Sequence, residues 1–247
     1  MSRVAVVTGA SRGIGQACAM LLAERGMRTV VNYRSSRDEA DGVVAAIEAA
    51  GGEAFAVQAD VTDAAAVNHL VDEVRERWGG IDVLVHNALI PFAVTSFEDL
   101  TWEQLGGKLD QEMRAAFLMT KAVTPHMVDR RRGRLVYIST GLARRPRHGM
   151  IALGTAKAAL GQFVRYVAQE LGPSGITANI VAPSTVDETW ATEELDTEVI
   201  EQVAAATPLG RLVRPVDVAR TVAFFAGDEA AFTTGSYAPV NGGLAMD

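Results

Sequence analysis

Short apolar runs rich in β-branched residues alternate along the chain with longer segments in which apolar residues recur every three or four positions. The runs are RVAVVT (3–8), RTVVNY (28–33), EAFAVQ (53–58), IDVLVH (81–86), GRLVYIS (133–139), ITANIVA (176–182) and SYAPV (236–240). The longer segments span 14–25, 38–50, 64–77, 110–128, 151–171 and 216–226. The runs suit strands and the longer segments helices. Strands apolar on both faces, each followed by a helix, predict a parallel sheet covered on both sides. Right-handed crossovers then make it an α/β fold, doubly wound, with seven parallel strands and helices on both faces. No repeat period and no Pro/Ser/Gly-rich linker divides the chain, so residues 1–247 read as a single domain.

In such a sheet ligands bind beyond the carboxyl ends of the strands. The first strand runs into TGASRGIGQA, residues 8–17. Gly9 permits a tight turn, Gly13 lets backbone approach a ligand, and Gly15 lets the next helix pack closely on the sheet. Ser11 and Arg12 lie inside this turn, and the helix starting near Ile14 points free N–H groups and its positive dipole end at a phosphate. The second strand is followed by NYRSSR, residues 32–37. Arg34, Ser35 and Ser36 stand there in place of the carboxylate that an NAD site offers the ribose 2′-hydroxyl. A guanidinium with hydroxyls suits a 2′-phosphate, so the expected cofactor is NADP(H). Asp60 and Val61 follow the third strand. The Asp60 carboxylate either accepts from an adenine amino group or caps the helix that starts near Asp63. After the fourth strand, HNAL puts Asn87 and Ala88 beneath the dinucleotide's ribose.

Composition narrows the partners. With 23 basic and 30 acidic residues the formal charge is −7, which argues against a general nucleic-acid or anionic-membrane binder. The basic stretches DRRRGR (129–134) and ARRPRH (143–148) read as a solvated loop and helix end, or alternatively as an approach patch for an anionic substrate. Cys18 is the only cysteine, which rules out an intrachain disulfide and a Cys-based metal site; no metal is expected. No apolar run approaches membrane-span length, and MSR leads directly into a strand pattern, so the expected location is the cytoplasm.

The stretches TGASRGIG, ADVTD, HNA, GRLVYIST, AKAAL, GITANIVAPS and FFAGDEAAFTTGSYAPVNGG, in this order, resemble the short-chain dehydrogenase/reductase family over nearly the whole chain. Within it the chain most resembles the 3-oxoacyl-(acyl carrier protein) reductases. The resemblance implies a Rossmann-type domain and a homo-oligomer, tetramer or dimer. It also implies hydride transfer between NAD(P)H and the carbonyl of a small-molecule or carrier-bound keto substrate. Pro183 and Val186 would line the nicotinamide pocket, and residues 184–209, including Trp190, would form a lid-like segment. In the family a tyrosine protonates the carbonyl oxygen, a lysine one turn on supports it, a serine ending the fifth strand binds the substrate oxygen, and an asparagine positions a water. Carried over by position, the lysine is Lys157 and the serine is Thr140, with Ser139 the adjacent alternative. The asparagine falls near Glu112, and the tyrosine falls on Leu153.

Leucine has no proton to give. Residues 153 and 157 share one helix face, so Leu153 supplies an apolar wall beside Lys157. A general acid typically contributes about 10²–10⁴ in rate, so its loss slows a reductase without excluding one. The candidate donors are Lys157 itself, desolvated beside Leu153, and Glu112, if its helix points it inward and burial raises its pKa; otherwise Glu112 reads as a solvated surface helix residue. His148, just before the catalytic helix, is either a donor or an exposed loop histidine. A substrate hydroxyl next to the carbonyl is a further route. Tyr166 lies about 13.5 Å along the helix from Lys157 and on the opposite face, out of reach. Tyr137 has the opposite strand parity to Thr140 and is expected to pack against a covering helix. The expectation is an NADP(H)-dependent ketoreductase with non-standard proton delivery. The alternatives are a non-redox catalyst such as a cyclase or dehydratase, and an inert cofactor-binding subunit.

Overall fold

Every apolar run pairs with neighbours running in its own direction. The computed structural model describes residues 2–189, 192 and 195–246. Its strands are β1 (Val4–Val7), β2 (Arg28–Tyr33), β3 (Ala54–Gln58), β4 (Val83–His86), β5 (Gly133–Ile138), β6 (Ile176–Pro183) and β7 (Tyr237–Val240). They form one seven-stranded sheet in the order β3-β2-β1-β4-β5-β6-β7, and all its pairings are parallel. Val6 sits between Val30 and Leu84, and Leu84 is followed across the sheet by Leu135 and Ala178. The chain reverses its winding between β1 and β4, which opens a crevice at their carboxyl ends.

The helices are α1 (Gly13–Glu24), α2 (Arg37–Ala49), α3 (Ala64–Trp78), α4 (Trp102–Asp129), α5 (Ile151–Leu171), α6 (Thr197–Ala206) and α7 (Pro215–Ala226). Successive strand residues feed opposite layers. Val4 and Val6 join a core with Leu70, Met119, Leu160 and Val164 from α3, α4 and α5. Ala5 and Val7 join one with Cys18, Val43, Leu22 and Val222 from α1, α2 and α7. This double burial is why the strands lack a polar face.

The α4 helix starts at Trp102, well before the expected residue 110. Gly106 and Gly107 hide the helical pattern, since each glycine costs about 1 kcal/mol against alanine in a helix. A capping box offsets this: Thr101 Oγ1 accepts from the Gln104 amide, and the Gln104 side chain accepts from the Thr101 amide. The extra turns carry Lys108 into the core. In the segment expected to form a lid, Val186 bridges to Val213, and the hydroxyls of Thr189 and Thr192 donate to the Val186 carbonyl. Trp190 lies outside the described residues. Among the described residues no helix is long and apolar enough to cross a membrane.

Candidate active site

The loops at the carboxyl ends of β1, β2 and β4 are sewn together by side chains. Gly9 turns with φ 61°, and a Cβ there would lie 2.8 Å from Ala88 Cα. A Cβ on Gly15 would strike the Gly9 carbonyl at 2.3 Å, so helix and turn approach as only glycine allows. Asn87 Nδ2 donates to the carbonyls of Thr8 and Gly9 at 2.9 and 3.1 Å. The amides of Asn87 and Ala88 donate to Thr8 Oγ1. Asn32, which sequence reasoning passed over, does the same on the other side: its Oδ1 accepts from the Gly9 amide and its Nδ2 donates to Ala59 O. A polar residue inside an otherwise apolar buried strand was the available signal.

What this frame presents is suited to a phosphorylated nucleotide. Among the described residues no side-chain cap hydrogen bond forms at Arg12, the N-cap residue of α1, whereas Asp63 and Thr101 cap α3 and α4. The first-turn amides of α1 and its dipole therefore face outward beside half-buried Ser11, Gly13 and Ile14. Arg12, Arg34 and Ser35 are exposed beyond β1 and β2, and no carboxylate occurs in residues 32–37 to repel a 2′-phosphate. Asp60 Oδ1 accepts from the Thr62 hydroxyl and amide at 2.7 and 2.8 Å. Those bonds, with Arg34 adding to them against burial, hold its carboxyl below the usual range. Asp60 does not cap α3; Asp63 does, accepting from the Ala66 amide. Val61 and Pro183 are buried beside this edge, and Val186 is buried at its bridge.

At the ends of β4 and β5 lies a buried network of charges. Glu112 is fully buried and lies between two lysines. Lys108 Nζ bonds Glu112 Oε2 at 2.6 Å and Ile90 O at 2.8 Å. Lys157 Nζ lies 2.7 Å from Glu112 Oε1 and donates to Ile138 O at 2.8 Å. The side chains of Lys108 and Lys157 are only 1% and 7% exposed, so these ion pairs replace water rather than compete with it. Burial pulls the Glu112 carboxyl up, but Lys157 and Lys108 together outweigh it and hold it near 2. Near neutrality Glu112 is a carboxylate that holds lysines: its helix points it inward, against the reading of a surface residue, but its pKa is lowered and not raised, so the condition for a proton donor is not met. Burial pulls Lys108 below the ordinary lysine value, with Glu112 opposing.

Leu153 is buried one turn before Lys157 on α5 and places no polar atom there. Thr140 Oγ1 accepts from the Leu142 amide at 3.4 Å, which leaves its O–H free to donate, while the Thr140 carbonyl is held by Tyr237 Oη at 2.9 Å. Ser139 is buried, and among the described residues its Oγ has no hydrogen-bond partner. His148 is exposed in the turn before α5. Tyr166 is exposed on α5. Tyr137 is buried against α4 and shares a 2.6 Å hydrogen bond with Thr120. Lys108, like Asn32, is a residue sequence reasoning missed. Its spacing of four from Glu112 was the available signal, legible only once the helix is known to reach back to Trp102.

This network makes the fold acid-sensitive in two steps. Burial holds fully buried His86, at the end of β4, down at about 4 from its ordinary 6.5, with Glu112 opposing and both lysines adding. The unfolded chain therefore takes up that proton first, and stability falls as pH drops from about 6.5 to 4. Glu112 is depressed from 4.5 to about 2, so a second loss in the same direction follows between those values. Each step is expected to cost up to about 3 kcal/mol. Urea midpoints measured from pH 7 to 3 should fall throughout, and His86→Asn should remove only the upper part of the decline.

The chain is similar over nearly its whole length to known proteins. A family model described as Enoyl-(Acyl carrier protein) reductase matches residues 9–245. The 3-oxoacyl-(acyl-carrier-protein) reductase FabG of Staphylococcus aureus is 36% identical over 248 residues, covering 100% of this chain and 99% of that protein. A 3-oxoacyl-(acyl-carrier-protein) reductase of Synechocystis sp. is 42% identical over 246 residues, 99% of this chain and 98% of its own. An uncharacterized oxidoreductase of Methylorubrum extorquens is 38% identical over 244 residues, 98% and 97% respectively.

Proposed function

Since the chain belongs to the short-chain dehydrogenase/reductase family, we propose that it is an NADP(H)-dependent reductase of 3-oxoacyl or polyketide-like keto groups whose proton comes from Lys157 instead of a tyrosine. The observation that carries this reading is the buried ammonium of Lys157, fixed by Ile138 O and Glu112 beside an apolar Leu153. Bound at the glycine turn, NADPH supplies the hydride. Arg34, Ser35 and Arg12 would hold its 2′-phosphate, and the N-terminal end of α1 would hold the pyrophosphate. Thr140 donates its free O–H to the substrate oxygen. Lys157 would protonate the carbonyl oxygen, one Nζ–H bond breaking as the alcohol O–H forms, and solvent would return the proton after product leaves. Leu153 keeps water from the reacting oxygen. The names of the relatives point to a carrier-bound substrate, and oligomer assembly follows the family's habit.

The test is loss of NADPH absorbance with a 3-oxoacyl thioester, run beside NADH. Preference for NADPH should fall about tenfold or more in Arg34→Ala, because one charge-assisted phosphate contact is lost. A second reading, a cofactor-binding subunit without turnover, is favoured by Leu153 alone. It stands if NADPH binds but no keto substrate consumes it, while Leu153→Tyr creates consumption.

A further inference from the structure

Lys108 has no part in the reading above, yet its side chain is more deeply buried than that of Lys157. Its purpose follows from counting charges. Without Lys108, Glu112 and Lys157 would form a neutral pair, and the substrate oxygen would face no net charge. Glu112 does not act alone, however, because its second oxygen is taken by Lys108 at 2.6 Å. Two ammoniums and one carboxylate leave one surplus positive charge, sealed from water at the ends of β4 and β5. The anchors of the two lysines, Ile90 O and Ile138 O, belong to different strand ends, so the charge is held rigidly. An uncompensated charge in a dry site acts at greater strength than the same charge in water.

We propose that Lys108 is a positioning residue that restores the cationic charge Glu112 would otherwise cancel, so that the Lys108–Glu112–Lys157 network presents one net positive charge to the negative charge developing on the substrate oxygen. The inference rests on the reductase reading, since it places the nicotinamide and the carbonyl beside Lys157. Unlike that reading, it assigns work to a residue that touches neither. It also explains why a carboxylate is tolerated next to the lysine of a reductase: the acid aims both lysines, and the second lysine returns the charge.

The test reads charge without requiring turnover. The oxidised nicotinamide ring is cationic and the reduced ring neutral, so a nearby surplus charge weakens NADP+ relative to NADPH. In Lys108→Met the ratio of the NADP+ to the NADPH dissociation constant, measured by titration of each nucleotide, should fall about tenfold. For the same variant kcat should fall about 100-fold with KM nearly unchanged. The double variant Lys108→Met/Glu112→Gln again carries one charge, on Lys157, and should recover both quantities toward wild type. A merely structural clamp would leave the double variant no better than the single one. Should Lys108→Met fail to fold, Lys157→Ala keeps the Lys108–Glu112 pair and should lower the ratio alike. Lys157→Ala/Glu112→Gln, whose one remaining charge is Lys108, should restore it. Unchanged ratios in the single variants, or no recovery in the doubles, overturn the inference while leaving the reductase reading intact. A wild-type protein that binds neither nucleotide overturns both.

Discussion

Lys157→Ala is expected to lower kcat for NADPH-dependent keto reduction by about 10³-fold or more, because it removes the proton donor and the surplus charge in one step. The fold should survive the change. Glu112 keeps its 2.6 Å contact with Lys108, so no buried carboxylate is left without a partner. Circular dichroism and a urea midpoint near that of the wild type would establish this. Lys157→Arg separates the two losses, since a guanidinium keeps the charge but does not give up its proton at accessible pH. Its kcat should therefore lie above that of Lys157→Ala and still well below wild type. Undiminished turnover in Lys157→Ala would move the proton source off the protein, to a hydroxyl on the substrate.

The sheet was legible because a strand covered on both faces has to be apolar at nearly every position. The run at 28–33 and the helical segment at 151–171 coincide with β2 and α5. The start of α4 was not legible, because two glycines break the local preference and the stabilising elements are a cap and tertiary packing. That single boundary concealed Lys108. At the cofactor end, the close approach of Gly15 to Gly9 could be read from spacing, since a Cβ on Gly15 would meet the Gly9 carbonyl within the same turn. The charge network could not, because its anchors Ile90 O and Ile138 O are backbone atoms from separate strand ends. Glu112 illustrates the difference. As a lone acid on a helix it reads as solvated; between two lysines it is fully buried and ionised.

The largest effect on stability should come from Glu112→Leu. Leucine fills similar space, so the loss is electrostatic: two ammoniums, 1% and 7% exposed, would remain without their shared counter-ion. Breaking a buried pair from one side typically costs about 3–5 kcal/mol, a large share of the roughly 5–15 kcal/mol that holds a domain folded. One lysine can limit that cost by giving up its proton, which fixes the sign of the pH dependence. In Glu112→Leu the unfolded chain binds more protons than the folded one, so stability should rise with pH through the neutral and mildly alkaline range. The wild type should show no such rise of equal size over that range, because Glu112 keeps both lysines paired. Lys108→Met/Glu112→Leu leaves only one unpaired ammonium and should recover part of the loss, a coupling measurable as a double-mutant cycle in urea. A single Glu112→Leu variant within about 1 kcal/mol of wild type at neutral pH would mean that the lysines find water in the folded state. The dry charge on which both the proton donor and Lys108 depend would then be absent.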